Sequence, residues 1–130
     1  ADMRPVRIGA FVLHELAHAY HDQVLGFDDP RIVKVYEDYQ HSGHGEAALL
    51  FNGQRVRHYA LTNHKEFFAE MTEAYFGEND FFPFNRAELM TAEPEIYALM
   101  RTIWGPLGVV SKQPNRSDAY SKTANSASPP

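Results

Sequence analysis

His14-Glu15-Leu16-Ala17-His18 reads His-Glu-x-x-His inside a stretch built to be helical. Ile8, Phe11, Val12, Leu16 and Ala19 recur at roughly helical spacing, Pro5 fits an early helix position after Asp2 or Met3, and Gly26 is a stop signal. Residues four apart on a helix share a face and lie about 6 Å apart along the axis. His14 and His18 on such a face can grip one zinc ion. Glu15 then sits beside the metal, where it can take a proton from a coordinated water as general base. A surface helix that carries two histidines and a glutamate by coincidence is the alternative.

A catalytic zinc site needs a third protein ligand and leaves one position for water. Glu66-Phe67-Phe68-Ala69-Glu70, continued by Met71-Thr72-Glu73-Ala74-Tyr75-Phe76-Gly77, is the best source. Phe67, Phe68, Met71, Ala74 and Tyr75 give this segment an apolar helical face, Glu66, Glu70 and Glu73 lie along another, and Gly77 ends it. Glu66 is far enough downstream of His18 for a second helix to return beside the first. Glu66 would coordinate the metal. Glu70, one turn along, would accept a hydrogen bond from the free ring nitrogen of a ligand histidine, His14 first, and so fix its tautomer. The reverse assignment, with Glu70 on zinc, and a solvated acidic stripe are the alternatives.

Together with Tyr59-Ala60-Leu61-Thr62-Asn63-His64-Lys65-Glu66-Phe67-Phe68-Ala69-Glu70, the histidine motif resembles the catalytic core of the anthrax lethal factor-like metallopeptidases, a group that includes the Pro-Pro endopeptidases. The resemblance spans roughly residues 14 to 77. These enzymes are gluzincins, with a zincin-like core in which two histidines and a downstream glutamate bind zinc. The resemblance implies His14, His18 and Glu66 as ligands, Glu15 as general base, and Tyr59 as the phenol facing the reacting carbonyl. Ala17 departs from the glycine often found before the second histidine in this group; being small, it is expected to have little consequence. The resemblance alone points to a secreted or extracytoplasmic setting.

From the residues alone Tyr59 has two readings. A phenol on a loop just before the ligand helix can donate to a developing oxyanion, or it can be a half-buried strand aromatic. The resemblance implies the first. His21 lies about 10 Å along the axis from His14 on a straight helix, too far for both to join His18 on one zinc, and is expected on a cleft wall or the surface. His41 and His44 flank Gly43 in a loop; a second metal site there is the less favoured option. His58 and His64 flank the Tyr59 segment; either could face the substrate, with solvent exposure as the default.

One domain is the natural reading of 130 residues with 44% hydrophobic content, nine phenylalanines and seven tyrosines. There are no cysteines, which excludes disulfides and thiolate metal sites. A net charge of −5 without a basic run argues against nucleic acid, and no segment is apolar enough to span a membrane. The fold expected is mainly α with a small β-hairpin, an α+β arrangement. Asp29 and Pro30 start a helix carrying Ile32, Val35, Tyr36 and Tyr39, and Ser42-Gly43-His44-Gly45 breaks it. Asn52-Gly53 joins Leu49-Leu50-Phe51 to Arg55-Val56-Arg57-His58-Tyr59 as a hairpin. The ligand helix runs from about Asn63 to Phe76. Phe81-Phe82-Pro83-Phe84 folds back on the core, Asn85 with Glu88 forms a capping box, and Pro94 opens a last helix. Residues 1–110 form the catalytic domain and 111–130, rich in Ser, Asn, Lys and Pro, an extended or disordered tail.

The leading expectation is a zinc-dependent endopeptidase acting on a peptide or protein. The alternatives are a non-catalytic zinc-binding module, a fragment of a larger metallopeptidase, or a metal-dependent hydrolase of another amide or ester. Zinc peptidases usually bind substrate along a sheet edge that precedes the histidine motif. Only 13 residues precede His14, so that edge is expected either from the Asn52-Gly53 hairpin or from chain upstream.

Overall fold

The computed structural model describes residues 7–106, with side chains described from residue 11 onward. The expected start of the first helix around Pro5, the boundary at 110 and the C-terminal tail lie outside the described residues. The chain divides into two compact units, Ala1–Met100 and Arg101–Pro130. The first carries the candidate site; the described part of the second is residues 101–106.

The order is α1 (Arg7–Tyr20), a π-turn (His21–Leu25), α2 (Pro30–Ser42), β1 (Ala48–Leu49), β2 (Arg55–Val56), a 3₁₀ turn (Tyr59–Leu61), α3 (His64–Phe76), α4 (Arg86–Ala92) and α5 (Pro94–Trp104). The protein is thus mainly helical with one small antiparallel sheet. The helix starts are written in the sequence. Asp29 accepts from the Arg31 amide at 2.9 Å, Asn63 from the Glu66 amide at 2.9 Å, and Asn85 from the Glu88 amide at 3.0 Å. Glu88 does not complete a capping box with Asn85; its carboxylate reaches one residue further back and accepts from the Phe84 amide at 2.9 Å.

The Asn52-Gly53 hairpin forms, with Ala48 opposite Val56 and Leu49 opposite Arg55. Its strands are shorter than the apolar run implies, and Tyr59 has already left the sheet for the 3₁₀ turn. The aromatic run returns along the other side of β1: the Phe82 amide donates to Leu49 at 2.8 Å and the Phe51 amide to Asp80 at 2.7 Å. Asn79 pins this return. It is buried, its Nδ2 donates to the Glu70 carbonyl at 2.8 Å, and its Oδ1 accepts from the Phe81 amide at 3.2 Å.

α3 is the central element. Every residue from Phe67 to Tyr75 is buried, because α1, α2, α4 and the 3₁₀ turn all pack against it. Tyr36 and Tyr39 of α2 lie 5.5 and 5.7 Å from the Phe67 ring, and Tyr75 meets Tyr97 at 5.7 Å. Each fully buried side chain of this size contributes on the order of 1.5–3 kcal/mol. Gly45 is required by close approach: a Cβ there would lie 2.9 Å from Tyr39 Cε2.

α1 meets α3 in an unexpected orientation. Phe11, Val12 and Leu16, whose spacing marks the helix, are exposed at 62%, 51% and 59%. Ala17 and His21 are fully buried instead, and His14 and His18 are partly so. These four positions stand at i, i+3, i+4 and i+7, so among the described side chains the inward stripe of α1 and the turn after it holds three histidines and one alanine. Ala17, with a minimal side chain, lets the two helices approach between the imidazoles.

Candidate metal centre

α1 supplies His14 and His18 from one face, their ring centroids 4.8 Å apart and nearly perpendicular. α3 supplies Glu66 from its first turn, just after the Asn63 cap fixes where the helix begins. Glu66 Oε1 lies 2.9 Å from His14 Nε2 and 3.3 Å from His18 Nε2. One donor atom from each of these three residues falls within 4.8 Å of the others. In a tetrahedral zinc site with bonds of about 2.0–2.2 Å, neighbouring donor atoms stand roughly 3.3–3.5 Å apart. The two nitrogen-to-oxygen distances are close to that edge length, and the nitrogen–nitrogen–oxygen set is one zinc accepts. The residues therefore fit the ion.

Behind these three donor atoms, the arrangement differs from the one expected. Glu73, not Glu70, accepts from His14 Nδ1, at 2.5 Å, while Glu70 Oε2 stands 3.4 Å from the same nitrogen. Both carboxylates are buried, Glu70 at 7% and Glu73 at 2% exposure. Together with His14 they form a second grouping of potential donor atoms on the inner side of the ring. Glu66, Glu70 and Glu73 occupy one face of α3 over two turns, so the acidic stripe is turned inward to α1 rather than to solvent.

These contacts set the charge on His14. Burial opposes the imidazolium, but its hydrogen bonds to Glu73 and Glu66, with the charges of Glu70 and Glu73, outweigh it and raise the pKa to about 9. Both ring nitrogens then donate, one to Glu73 and one to Glu66. Glu70 moves above the ordinary carboxylate range, chiefly through burial and then through repulsion from Glu73, with His14 and Asn79 opposing.

Glu15 is exposed on α1 between the two histidines. Tyr59 opens the 3₁₀ turn and is 47% exposed. The negative charge of Glu66, then slight burial, then Glu70 raise its pKa, which keeps the phenol protonated at neutral pH. Its position is set from both sides. His58 Nδ1 accepts from the Ala60 amide at 3.0 Å, and Tyr36 OH donates to the Leu61 carbonyl at 3.1 Å.

The remaining histidines correct the sequence reading. His21 is fully buried between Phe27 and Phe68, with ring centroids at 5.0 and 4.8 Å. His58 is buried and stacks on Phe81 at 4.5 Å. In each case aromatic neighbours accept the imidazole as a flat apolar body, an outcome that composition near the residue does not reveal. His64 is half-buried and donates through Nε2 to the Phe27 carbonyl at 2.6 Å. His41 ends α2, and His44 pairs with Glu93 at 2.7 Å; neither belongs to a possible metal-binding group among the described residues. A cavity of about 420 Å³ lined by Tyr39, His44, Leu49, Arg55, Phe82 and Glu93 contains none of the candidate site residues.

Glu73 is the site residue whose role the sequence reading missed. The signal was present: it lies two helical turns from Glu66, as His21 lies two turns from His14. No protein-family model, no curated protein and no solved structure matches the chain.

Proposed function

We propose that this chain is the zincin-like core of a zinc-dependent endopeptidase, with His14, His18 and Glu66 as ligands. The observation that supports it is the convergence of two imidazole nitrogens and one carboxylate oxygen within 4.8 Å of one another beside an exposed Glu15. A purely structural zinc site is closed by four protein ligands; this one offers three and has a carboxylate next to it. When bound, zinc supplies a Lewis acid for the carbonyl and lowers the pKa of a coordinated water.

Glu15 takes the proton of the attacking water and delivers it to the leaving nitrogen as the C–N bond breaks. Tyr59 donates its phenolic hydrogen to the carbonyl oxygen as negative charge develops there. Glu66 would tie a bound metal to α3, the buried central helix, while His14 and His18 would hold it from α1. The substrate is a peptide or protein.

Turnover of a peptide library at equal, measured zinc occupancy tests the reading. Glu15→Gln keeps shape and metal but removes the base, and hydrolysis should fall roughly 10²–10⁴-fold. Tyr59→Phe deletes one hydroxyl and should cost about 10²-fold. No turnover by the zinc-loaded wild type, or unchanged turnover in Glu15→Gln, contradicts a peptidase. Unchanged turnover in Tyr59→Phe removes the phenol from the mechanism alone.

A further inference from the structure

Among the described residues, His14 is the candidate histidine ligand whose far nitrogen meets a buried carboxylate. The spacing of Glu66 and Glu70, one turn apart, directs attention to Glu70, but the geometry selects the residue two turns on. Glu73 Oε2 is 2.5 Å from His14 Nδ1, within a short charge-assisted hydrogen bond, whereas Glu70 at 3.4 Å is at the margin of one. Glu73 is also the more deeply buried of the two, at 2% exposure. Burying a carboxylate on a central helix costs stability that an apolar residue there would not. Neighbouring positions on the same helix, Phe67, Phe68, Met71 and Ala74, are apolar and fully buried.

We propose that Glu73 is the positioning residue of the site: it holds the proton of the His14 ring on Nδ1 and so presents the Nε2 lone pair toward His18 and Glu66. The inference rests on His14 being a ligand, but the Glu73 contact on Nδ1 is present without metal, where Glu66 competes for the proton from the Nε2 side at 2.9 Å. An imidazole that carries its proton on Nε2 has no lone pair there to give, and one free to rotate loses ordering entropy when it ligates. A carboxylate on Nδ1 removes both alternatives and makes the ligand more basic.

The test is the protonation pattern of the His14 ring nitrogens, read by ¹⁵N NMR on zinc-free protein at a pH above the His14 titration. Zinc affinity is measured alongside by competition with a chelator, and far-UV circular dichroism checks the fold. Wild type should show the Nδ1-protonated ring. Glu73→Leu should lose that preference and bind zinc about 10–100-fold more weakly. Glu73→Gln, which retains an acceptor without charge, should restore the tautomer and part of the affinity. Glu70→Gln should keep the Nδ1-protonated ring.

Persistence of that tautomer in Glu73→Leu, or its loss in Glu70→Gln, overturns the proposal. So does zinc affinity unchanged by Glu73→Leu in a protein whose affinity collapses in His14→Ala. If Glu73→Leu does not fold, Glu73→Gln decides: an Nε2-protonated ring there overturns the assignment. Zinc binding that is indifferent to His14→Ala defeats the metal-site reading and leaves the tautomer result standing by itself.

Discussion

Single residues carry the pH response of this fold. His21 is held neutral by burial and then by the charge of His64, against the pull of Asp29, and its pKa falls to about 4. Burial alone lowers His58 to about 4. His58 Nδ1 accepts from the Ala60 amide, so its proton resides on Nε2, which has no hydrogen-bond partner among the described residues. In the unfolded chain both rings titrate near the ordinary value of about 6.5. As pH falls from there toward 4, the unfolded state gains protons that the native state refuses, and stability is lost. Each such group contributes a slope of about 1.4 kcal/mol per pH unit across that window. Glu70, whose pKa is raised, binds its proton earlier in the native state and slopes the opposite way. The contribution of His58 is therefore read by difference. His58→Asn keeps an acceptor for the Ala60 amide and abolishes the titration. Urea denaturation of both proteins between about pH 6 and 4 should show the variant's stability falling less steeply, by about 1.4 kcal/mol per pH unit. Parallel curves would mean that His58 is protonated in the native protein. The burial of these two rings was not legible in the sequence, because Phe68, which packs on His21, and Phe81, which packs on His58, are remote along the chain.

Elements were legible where short-range chemistry writes them. Asp29-Pro30, Asn63 and Asn85 begin helices because their side chains satisfy amides that the helix leaves unpaired. Asn52-Gly53 closes a hairpin for an equally local reason: the Asn52 side chain accepts from the Gln54 amide at 3.0 Å, and Gly53 takes φ +92°. Helical spacing of Ile8, Phe11, Val12, Leu16 and Ala19 marks α1 as a helix but does not say which face is enclosed: this helix turns its histidines inward and leaves Phe11, Val12 and Leu16 exposed. Local rules give way where a helix carries polar groups that must be enclosed. The passage of α1 into a π-turn at His21 likewise has no signature in local propensity. The cap at Asn63 matters beyond its own stability, because it fixes the turn from which Glu66 projects. Asn63→Ala should cost about 1 kcal/mol in urea denaturation and also weaken zinc binding. An effect on stability with no change in affinity would show that Glu66 does not depend on the cap for its placement.

At the scale of the whole molecule, the mainly helical architecture with one short hairpin follows from composition and punctuation. The pairing of α1 with α3 does not; it was reached through the metal-ligand logic that His14 and His18 need a third partner. Glu66 was chosen for that reason, and the structure brings it beside both histidines. Glu73 escaped because the second contact to His14 depends on how the helices cross, which spacing along one helix does not determine. Among the described residues no helix is long and apolar enough to cross a membrane. The proposal that this fold exists to hold one catalytic zinc rests on three donor atoms from two helices, and metal stoichiometry addresses it most directly. Zinc should bind at one ion per chain in the wild type. Elemental analysis after dialysis against zinc should find that ion lost in both His18→Ala and Glu66→Ala, each checked for retained helicity by circular dichroism. One full equivalent of zinc retained by both folded variants would contradict the site.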